Sequence, residues 1–206
     1  MIINKHQSKK VAEILLNINA VKLQPSNFFT WSSGKKSPIY CDNRVILSYP
    51  KERKLIQNIC AQYIEDEFQS IDYIAGVATG AIAHGVMVAS QLDLPFIYVR
   101  DKAKGHGRQN QIEGKLKRGS KVIVIEDLIS TGKSSMNAIK AIEETNSKVH
   151  GLISIFTYGF FDNKQLPVPC VSLCDYNTLI TVAVDKQIIN QEEEKILSNW
   201  QQAFDI

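Results

Sequence analysis

The chain has 206 residues, of which 44% are hydrophobic and 22% charged, and its formal net charge is +3. This length and composition predict one globular domain over residues 1–206 and exclude disordered, collagen-like and coiled-coil proteins. The four cysteines are too few and too scattered for a disulfide framework, so we expect reduced thiols in a soluble, cytoplasmic protein.

The N-terminal part of the chain is expected to contain two helices and a hairpin. Apolar residues at helical spacing predict a helix over residues 8–20, and Pro50 in a first turn predicts a second helix that starts at residue 48. Between them, residues 28–44 hold two short β-like pieces around the turn SSGKKSP. No apolar segment with a small-residue cleavage site follows the charged N-terminus, so we expect no signal peptide.

Strands and helices alternate after residue 70. The strands are expected at residues 71–77, 95–99, 121–125 and 149–157, and the helices at residues 80–92 and 133–144. Met136, Ile139 and Ile142 are expected to form the apolar face of the second of these helices. Because the strands are apolar throughout, we expect an α/β fold: a central, mostly parallel sheet flanked by helices.

The two ends of the chain are expected to form additions to a core that spans residues 71–160. Residues 1–70 would form a hood of helix and hairpin, and residues 161–206 the C-terminal additions, with a packing helix over residues 187–204. Cysteines 170 and 174 lie in this last part, but they lack the C-x-x-C spacing and the nearby histidine pair that a zinc site needs.

Residues 73–92 contain no Asp, Glu, Lys or Arg and are long enough to span a bilayer. The stretch includes Gly76, Gly80 and Gly85 as well as several polar side chains. A strand, a glycine turn and a helix explain these residues better than a membrane span does, and we expect no contact with a membrane.

All of the excess positive charge lies in residues 100–110. This segment, RDKAKGHGRQN, holds four basic residues and one acidic residue, which leaves 20 of each in the rest of the chain. Such a concentration indicates that a polyanion binds there. A nucleic acid would need a wider basic surface with interleaved aromatic side chains, and this segment has no aromatic residue. A small phosphorylated ligand is therefore favoured, and no nucleic-acid partner is expected.

The strongest local motif is KVIVIEDLISTGKSS, residues 121–135. A buried strand is expected to end at Ile125, followed by Glu126, Asp127 and a small-residue turn into a helix. Ligands of open parallel sheets bind beyond the carboxyl ends of the strands, and N–H groups at a helix N-terminus hold phosphate well. Two carboxylates before such a turn suit a phosphorylated ribose, because they accept hydrogen bonds from its paired hydroxyls.

This motif has two other interpretations. The letters GKS suggest a nucleoside-triphosphate loop, but that loop requires a glycine where Asp127 stands, and a carboxylate there would repel the phosphates. Alternatively, the acidic pair only caps the helix that follows. The first interpretation fails on Asp127, whereas the residues alone leave the second one open.

Residues 122–134, VIVIEDLISTGKS, resemble the phosphoribosyl-diphosphate signature of the type I phosphoribosyltransferases at every position. The resemblance implies the fold of that family, with Glu126 and Asp127 facing the ribose hydroxyls and Asp127 in a catalytic role. It also implies that one segment surrounds the 5′-phosphate and that another lies under the leaving diphosphate. The first consists of Leu128, Ile129, Ser130, Thr131, Gly132, Lys133 and Ser134, and the second of Ala78, Thr79 and Gly80.

Two further segments resemble the orotate branch of that family rather than its purine branch. They are FFTWSSGKKSPIYCDNR, residues 28–44, and VRDKAKGHGRQNQIEG, residues 99–114, and the resemblance extends to DYNTLITVAV at residues 175–184. It implies transfer of phosphoribosyl from 5-phosphoribosyl 1-diphosphate to orotate, which yields orotidine 5′-monophosphate and diphosphate. Orotate would contact Ser130, Tyr40 and Cys41, and the diphosphate Arg100, Lys102, Lys104 and His106, of which Lys104 and His106 would be catalytic.

In that branch, residues 100–110 form a mobile loop that closes over the diphosphate, often at the neighbouring subunit's site. The resemblance therefore implies a homodimer with shared active sites. Mg²⁺ is the expected cofactor, carried by the diphosphate, the ribose hydroxyls and water without a direct protein ligand, since this ion dehydrates reluctantly.

The chain departs from one group of that branch at two places. Ser32 stands where that group has a lysine, and Thr157–Tyr158 where it has an arginine that contacts the base. Two alternatives are kept: a phosphoribosyltransferase for another base, and a regulatory protein that senses phosphoribosyl diphosphate. The intact acidic pair and the basic loop with Lys104 and His106 argue against the second.

Overall fold

The computed structural model describes residues 2–31, 34–101, 111–160 and 165–204. Its helices are α1 (Lys5–Asn17), α2 (Pro50–Glu67), α3 (Ala81–Gln91), α4 (Lys133–Glu143), α5 (Tyr176–Asp185) and α6 (Gln191–Gln202), with a 3-10 helix at Asn43–Ser48. Its strands are β1 (Val21–Leu23), β2 (Phe29–Thr30), β3 (Lys36–Ser37), β4 (Ile39–Cys41), β5 (Tyr73–Val77), β6 (Phe96–Val99), β7 (Ile112–Glu113), β8 (Lys121–Ile129), β9 (Lys148–Thr157) and β10 (Cys170–Asp175).

Six of the strands form the central sheet in the order β10-β9-β8-β5-β6-β7. The first five are parallel to their neighbours, and β7 pairs antiparallel with β6 at one edge. Helix α3 connects β5 to β6, and α4 connects β8 to β9. The mostly parallel α/β sheet predicted from the sequence is thereby confirmed.

Both faces of the sheet are covered, which explains why its central strands are apolar throughout. Successive side chains of a strand point to opposite faces. On β8, Val122 and Val124 pack in one buried cluster with α4, whereas Ile123 and Ile125 pack in another with α1, α2, α3 and α5. A solvent-facing polar side would have interrupted this apolar run, so the run itself predicted burial on both sides.

The hood contains the predicted hairpin and a second small sheet that was not predicted. Strands β2 and β3 pair antiparallel, with Phe29 opposite Ser37. Strands β1 and β4 also pair antiparallel, with Val21 opposite Cys41. Each of these strands has only two or three residues, which is too short for an alternating pattern to show in the sequence.

The strand that was expected to end at Ile125 continues to Ile129, so this predicted boundary was wrong. Pairing with β9 goes on past the acidic pair, and Leu128 lies opposite Phe156. Hydrogen bonds to the neighbouring strand keep this backbone extended, whatever the polarity of its side chains. Glu126 and Asp127 therefore lie within a strand, and the tight turn begins after them.

Three helix predictions need smaller corrections. Helix α1 starts at Lys5 rather than at residue 8, because the Asn4 side chain accepts a hydrogen bond from the Gln7 N–H and caps it. Met136, expected on the packing face of α4, is 38% exposed. Helix α6 starts at Gln191 rather than at residue 187, because Asn190 and Glu193 form a capping box at its N-terminus.

Strand β10 and helix α5 were missed. Pairing to β9 holds β10 at the sheet edge, and Asp175 caps α5 by accepting the N–H of Thr178. The uncharged stretch at residues 73–92 forms a strand, a turn and a helix, as expected. Within the described ranges, no helix is long and apolar enough to cross a membrane.

Candidate active site

The candidate site lies where β5 and β8 end side by side. After β5, the chain turns through Ala78, Thr79 and Gly80 into α3, with a cis peptide between Ala78 and Thr79. The Ala78 N–H donates to the carbonyl of Val99 on β6 at 2.8 Å, which ties the turn to the sheet. The side chain of Asp127, near the end of β8, contacts Gly80 so closely that a Cβ there would overlap the carboxylate.

Asp127 is also held from the hood. The Asn43 side chain donates from Nδ2 to the carbonyl oxygen of Asp127 at 2.6 Å. The carbonyl of Asn43 lies 3.3 Å from Nε2 of His84 on α3, and both Asn43 and His84 are buried. Sequence reasoning missed these two residues: Asn43 had no role assigned, and His84 had no partner within the local sequence.

Glu126 contacts a different element from Asp127. It is 4% exposed, and its carboxyl group accepts hydrogen bonds from the Asp127 N–H at 3.2 Å and from Ser135 Oγ of α4 at 3.3 Å. The neighbouring elements thus fix both carboxyl groups without a salt bridge to either among the described residues.

Burial sets the protonation of this acidic pair. It raises the pKa of Glu126 well above its ordinary value, and the charge of Asp127 adds to that effect. Burial also raises the pKa of Asp127, while a hydrogen bond with Glu126 and the nearby His84 act in the opposite direction. Glu126 is thus the group of the pair that favours the proton. A ligand that donates hydroxyls or develops positive charge here would stabilise the ionised pair.

The turn after β8 presents an open helix N-terminus. Gly132 has φ +74°, a left-handed conformation that favours glycine, and no side chain caps the first turn of α4. Orphan N–H groups at such an end bind phosphate. Thr131, Lys133 and Ser134 are exposed beside it.

Ile129, the last residue of β8, is held to the neighbouring strand. Its side chain is buried, and its carbonyl accepts hydrogen bonds from the N–H of Tyr158 at 3.1 Å and from Thr157 Oγ1 at 3.3 Å. These bonds anchor the start of the turn to the end of β9.

A cleft of about 570 Å³ opens next to this turn. The three residues predicted to contact orotate, Tyr40, Cys41 and Ser130, all line it, so the fold brings them together from the hood and from the turn after β8. The further lining residues are Thr30, Trp31, Arg44, Leu128 and Tyr158. Of these, Leu128 was predicted to contact the 5′-phosphate rather than orotate, and Tyr158 was noted only as a departure from one group of the family. Thr30, Trp31 and Arg44 had no role assigned.

Aromatic packing supports one wall of the cleft. Trp31 donates from Nε1 to the carbonyl of Ile39 at 3.1 Å, and its ring lies 5.4 Å from that of Tyr158 and 5.9 Å from that of Trp200 on α6. Burial raises the pKa of the Cys41 thiol well above its ordinary value, so Cys41 presents a neutral group to the cleft.

Arg100 lies directly after β6. Its N–H donates to the carbonyl of Gln111, and its guanidinium contacts Glu113 of β7 at 3.4 Å. The predicted diphosphate contacts Lys102, Lys104 and His106, and the loop closure expected of them, lie outside the described residues, as does Ser32. In the described part of the chain, no three or more His, Cys, Asp and Glu side chains group as they would around a metal ion.

Known proteins resemble this chain in sequence. Residues 43–172 match the phosphoribosyl transferase domain family. Orotate phosphoribosyltransferases of Bacillus anthracis and Bacillus mycoides are each 50% identical to it over 196 residues, which is 93% of either chain. The chain belongs to the orotate phosphoribosyltransferase family. The resemblance stated from its motifs is confirmed.

Solved structures show the same fold. The orotate phosphoribosyltransferase of Aeropyrum pernix superposes with a TM-score of 0.74 at 26% identity, over 86% of this chain and 97% of that one. The UMP synthase of Leishmania donovani gives a TM-score of 0.80 at 24% identity, over 97% of this chain and 43% of that longer one.

The domain match and the family relatives cover different parts of the site. The match to residues 43–172 includes the turn at Gly80 and the strand end at Asp127, but it begins after Tyr40 and Cys41. The orotate phosphoribosyltransferases align over 93% of the chain. The acidic pair and the turns at its side thus lie within the shared domain, whereas the hairpin that lines the cleft lies outside it.

Proposed function

We propose that this protein transfers phosphoribosyl from 5-phosphoribosyl 1-diphosphate to orotate, which yields orotidine 5′-monophosphate and diphosphate in pyrimidine biosynthesis. One observation carries the proposal. Leu128, which follows Asp127 in β8, and Ser130, the first residue after that strand, both line the cleft of the hood. A base in the cleft and a ribose at the acidic pair would therefore lie side by side, as a transfer at the ribose C1 requires.

The residues after β8 would hold the 5′-phosphate. The open N-terminus of α4 and the exposed hydroxyls of Thr131 and Ser134 supply N–H and O–H donors for it. Glu126 and Asp127 would accept hydrogen bonds from the ribose hydroxyls. The turn at residues 78–80 would support the leaving diphosphate, with Arg100 and the loop residues Lys102, Lys104 and His106 as its cationic partners.

Breaking the bond from C1 to the diphosphate develops positive charge on the sugar and negative charge on the leaving group. Asp127 would stabilise the first, because its carboxylate is held in place before the reaction by Asn43 and by contact with Gly80. Lys104 and His106 would stabilise the second. The nucleophile is a ring nitrogen of an anionic base, which needs little activation.

Mg²⁺ fits this site as an ion that the substrate brings. The described residues offer two neighbouring carboxyl groups rather than a closed set of ligands, so diphosphate, ribose hydroxyls and water would supply its coordination. When bound, the ion neutralises charge on the leaving diphosphate. The carboxyl groups would act on the hydroxyls that the ion also uses, and Arg100 would act on the diphosphate.

The reaction is tested by orotate-dependent release of diphosphate from the purified protein, with and without Mg²⁺, and with adenine and uracil in place of orotate. Asp127→Asn, which keeps the shape of the side chain, should lose about 2 to 4 kcal/mol of transition-state stabilisation. Asp66→Asn on the exposed end of α2 is the matched control and should keep full activity. Release of diphosphate with uracil or adenine, but not with orotate, would show that the substrate is another base.

We further propose that the chain works as a homodimer, with Lys104 and His106 completing the partner's site. The family resemblance supports this arrangement. Lys104→Ala and Asp127→Asn subunits, each inactive alone, are mixed and allowed to exchange. Shared sites predict the return of roughly a quarter of wild-type activity, because about half of the dimers are mixed and each carries one intact site. If exchange is proven by mass spectrometry and no activity returns, each loop serves its own subunit.

We propose that the hood, the sheet and the C-terminal helix act as one domain in the cytoplasm. The Trp200 side chain on α6 donates to the carbonyl of Lys36 in the hairpin at 3.2 Å, which supports a single unit. The four cysteines are free thiols, which suits a reducing compartment. Limited proteolysis that released a stable fragment would contradict the single domain.

A further inference from the structure

Arg44 is the one charged side chain among the described residues that line the cleft; the others are aromatic, aliphatic, hydroxyl or thiol groups. Among these described residues, Arg44 is therefore the one full charge that a base bound in the cleft would face. Thr157 and Tyr158, at the end of β9 and directly after it, bring no charge either. A negatively charged substituent of the base would meet Arg44 in this cleft.

Asp42 fixes the orientation of this guanidinium. Its carboxylate accepts hydrogen bonds from Nε of Arg44 at 2.7 Å and from one terminal nitrogen, Nη2, at 2.9 Å. Three of the five N–H donors of the guanidinium, those on Nη1 and the second on Nη2, lie outside this fork. Two parallel donors of this kind match the two oxygens of a carboxylate.

The backbone around Arg44 is anchored to both halves of the site. On one side, the N–H of Asp42 donates to the carbonyl of Ala20 at 2.8 Å, beside the sheet of β1 and β4. On the other side, Asn43 donates to the carbonyl of Asp127 at 2.6 Å. The backbone next to Arg44 is thus tied to the residue that would contact the ribose, and Asp42 orients the guanidinium from there.

We propose that Arg44 binds the carboxylate of the pyrimidine and thereby selects orotate over bases that lack this group. The inference rests on the proposed function, whose substrate carries one carboxylate on the pyrimidine ring. Asp42 offsets the charge of Arg44 at long range, so recognition depends on directed hydrogen bonds rather than on net charge. Asp42 acts as a positioning residue, and Arg44 contacts the substrate.

Binding of two product nucleotides tests the proposal without turnover. Orotidine and uridine 5′-monophosphates differ only in the carboxylate, and their affinities are measured by calorimetry. Arg44→Gln should weaken orotidine monophosphate binding about tenfold or more and change uridine monophosphate binding by less than about twofold. Arg44→Lys, which keeps a point charge without the fork, should fall between the wild type and Arg44→Gln.

Lys22→Gln is the matched control, because Lys22 is an exposed cation on β1, opposite Tyr40, and does not line the cleft. It should leave both affinities unchanged. Asp42→Asn should weaken orotidine monophosphate binding less than Arg44→Gln does. Melting temperatures of all variants confirm that they are folded.

An unchanged preference for orotidine monophosphate in Arg44→Gln would overturn the proposal, since another group would then hold the carboxylate. Equal losses for both nucleotides would also overturn it, because Arg44 would then support the cleft in general. Wild-type turnover of orotate is measured in parallel. If the wild type turns over orotate while Arg44→Gln keeps its preference, the inference fails and the proposed function stands. If the wild type neither turns over orotate nor binds either nucleotide, the proposed function itself fails.

Discussion

The carboxylate of Asp127 lies against the backbone of Gly80, so closely that no side chain fits between them. Gly80 has φ −60° and ψ −39°, a right-handed helical conformation that any residue adopts. Its backbone conformation therefore does not require glycine. Only the close approach of Asp127 does, which makes Gly80 a part of the candidate site.

Gly80→Ala should lower kcat/KM strongly, about 100-fold, because the added methyl overlaps the whole carboxyl group of Asp127 and displaces it. A double-mutant cycle with Asp127→Ala checks the mechanism by steady-state kinetics and thermal unfolding. If Gly80→Ala acts through Asp127, it should have no further effect on activity in the Asp127→Ala background. Additive losses would show that Gly80 acts on its own, for instance through the turn.

Asn43→Ala should lower both stability and activity. The Asp127 carbonyl would lose its 2.6 Å partner, and an unsatisfied buried carbonyl destabilises a protein by about 1 to 3 kcal/mol. Gln57→Ala is the matched control, because Gln57 also donates from its amide to a backbone carbonyl, that of Met87 at 2.9 Å, on the helices behind the site. Urea unfolding should show losses in both variants, whereas kcat should fall only for Asn43→Ala. A similar kcat for the two would mean that the Asn43 contact is structural alone.

Trp200→Ala should raise KM for orotate more than KM for phosphoribosyl diphosphate. Its indole packs edge-on against Trp31 at 5.9 Å and so supports from behind the cleft in which we propose that orotate binds. Trp200→Phe should restore most of the affinity, and Ile196→Ala, at a 41% exposed position on the same helix, serves as the control. In Trp200→Phe, Trp31 is the only tryptophan left, and its fluorescence should change when orotate binds. Equal rises in both KM values would contradict a specific role at the base cleft.

Glu126→Gln should flatten the dependence of stability on pH. Burial raises the pKa of Glu126 in the folded protein above its ordinary value of 4.5, so the folded state binds more protons than the unfolded state as pH rises past that value. The stability due to protonated Glu126 is complete below about pH 4.5 and is lost as pH rises through the raised pKa. The free energy of unfolding of the wild type should therefore fall over this range.

Chemical denaturation at several pH values from 4 to 9 measures this effect. Glu126→Gln should be more stable than the wild type at the alkaline end and should show a smaller decrease with pH. Glu143→Gln, an exposed glutamate at the end of α4, should follow the wild-type curve. Parallel curves for Glu126→Gln and the wild type would show that Glu126 is ionised in the folded protein throughout.

The sequence predicted the central sheet well because its strands carry their own signal. Burial on both faces makes residues 121–125 apolar throughout, and α4 follows at the spacing of a crossover helix. Strand β10 and helix α5 were missed although both are buried. The hydrogen bonds that define β10 come from β9, so nothing local in its residues set it apart.

The residues of the candidate site also fall into two groups: those that the sequence indicated and those whose contacts only the fold creates. The acidic pair and the turn after it are contiguous in the chain, so their residue types alone indicated a phosphorylated ribose. Asn43 and His84 lie 41 residues apart in sequence and meet only in the folded protein. The anchoring of the turn after β8, through the Ile129 carbonyl that accepts from Tyr158 and Thr157, is likewise decided by pairing between strands.

The sequence by itself determined the parallel α/β core, the choice of Glu126 and Asp127 as the acidic pair, and the concentration of positive charge in residues 100–110. Each of these depends on neighbouring residues or on composition. Only the tertiary structure decided that β8 runs through Glu126 and Asp127, that Asp127 contacts Gly80 and Asn43, and that Arg44 faces the cleft. The physical reason is that hydrogen bonds and van der Waals contacts between distant segments form only when the chain is packed. The nature of each side chain is local, whereas its partner is set by the fold.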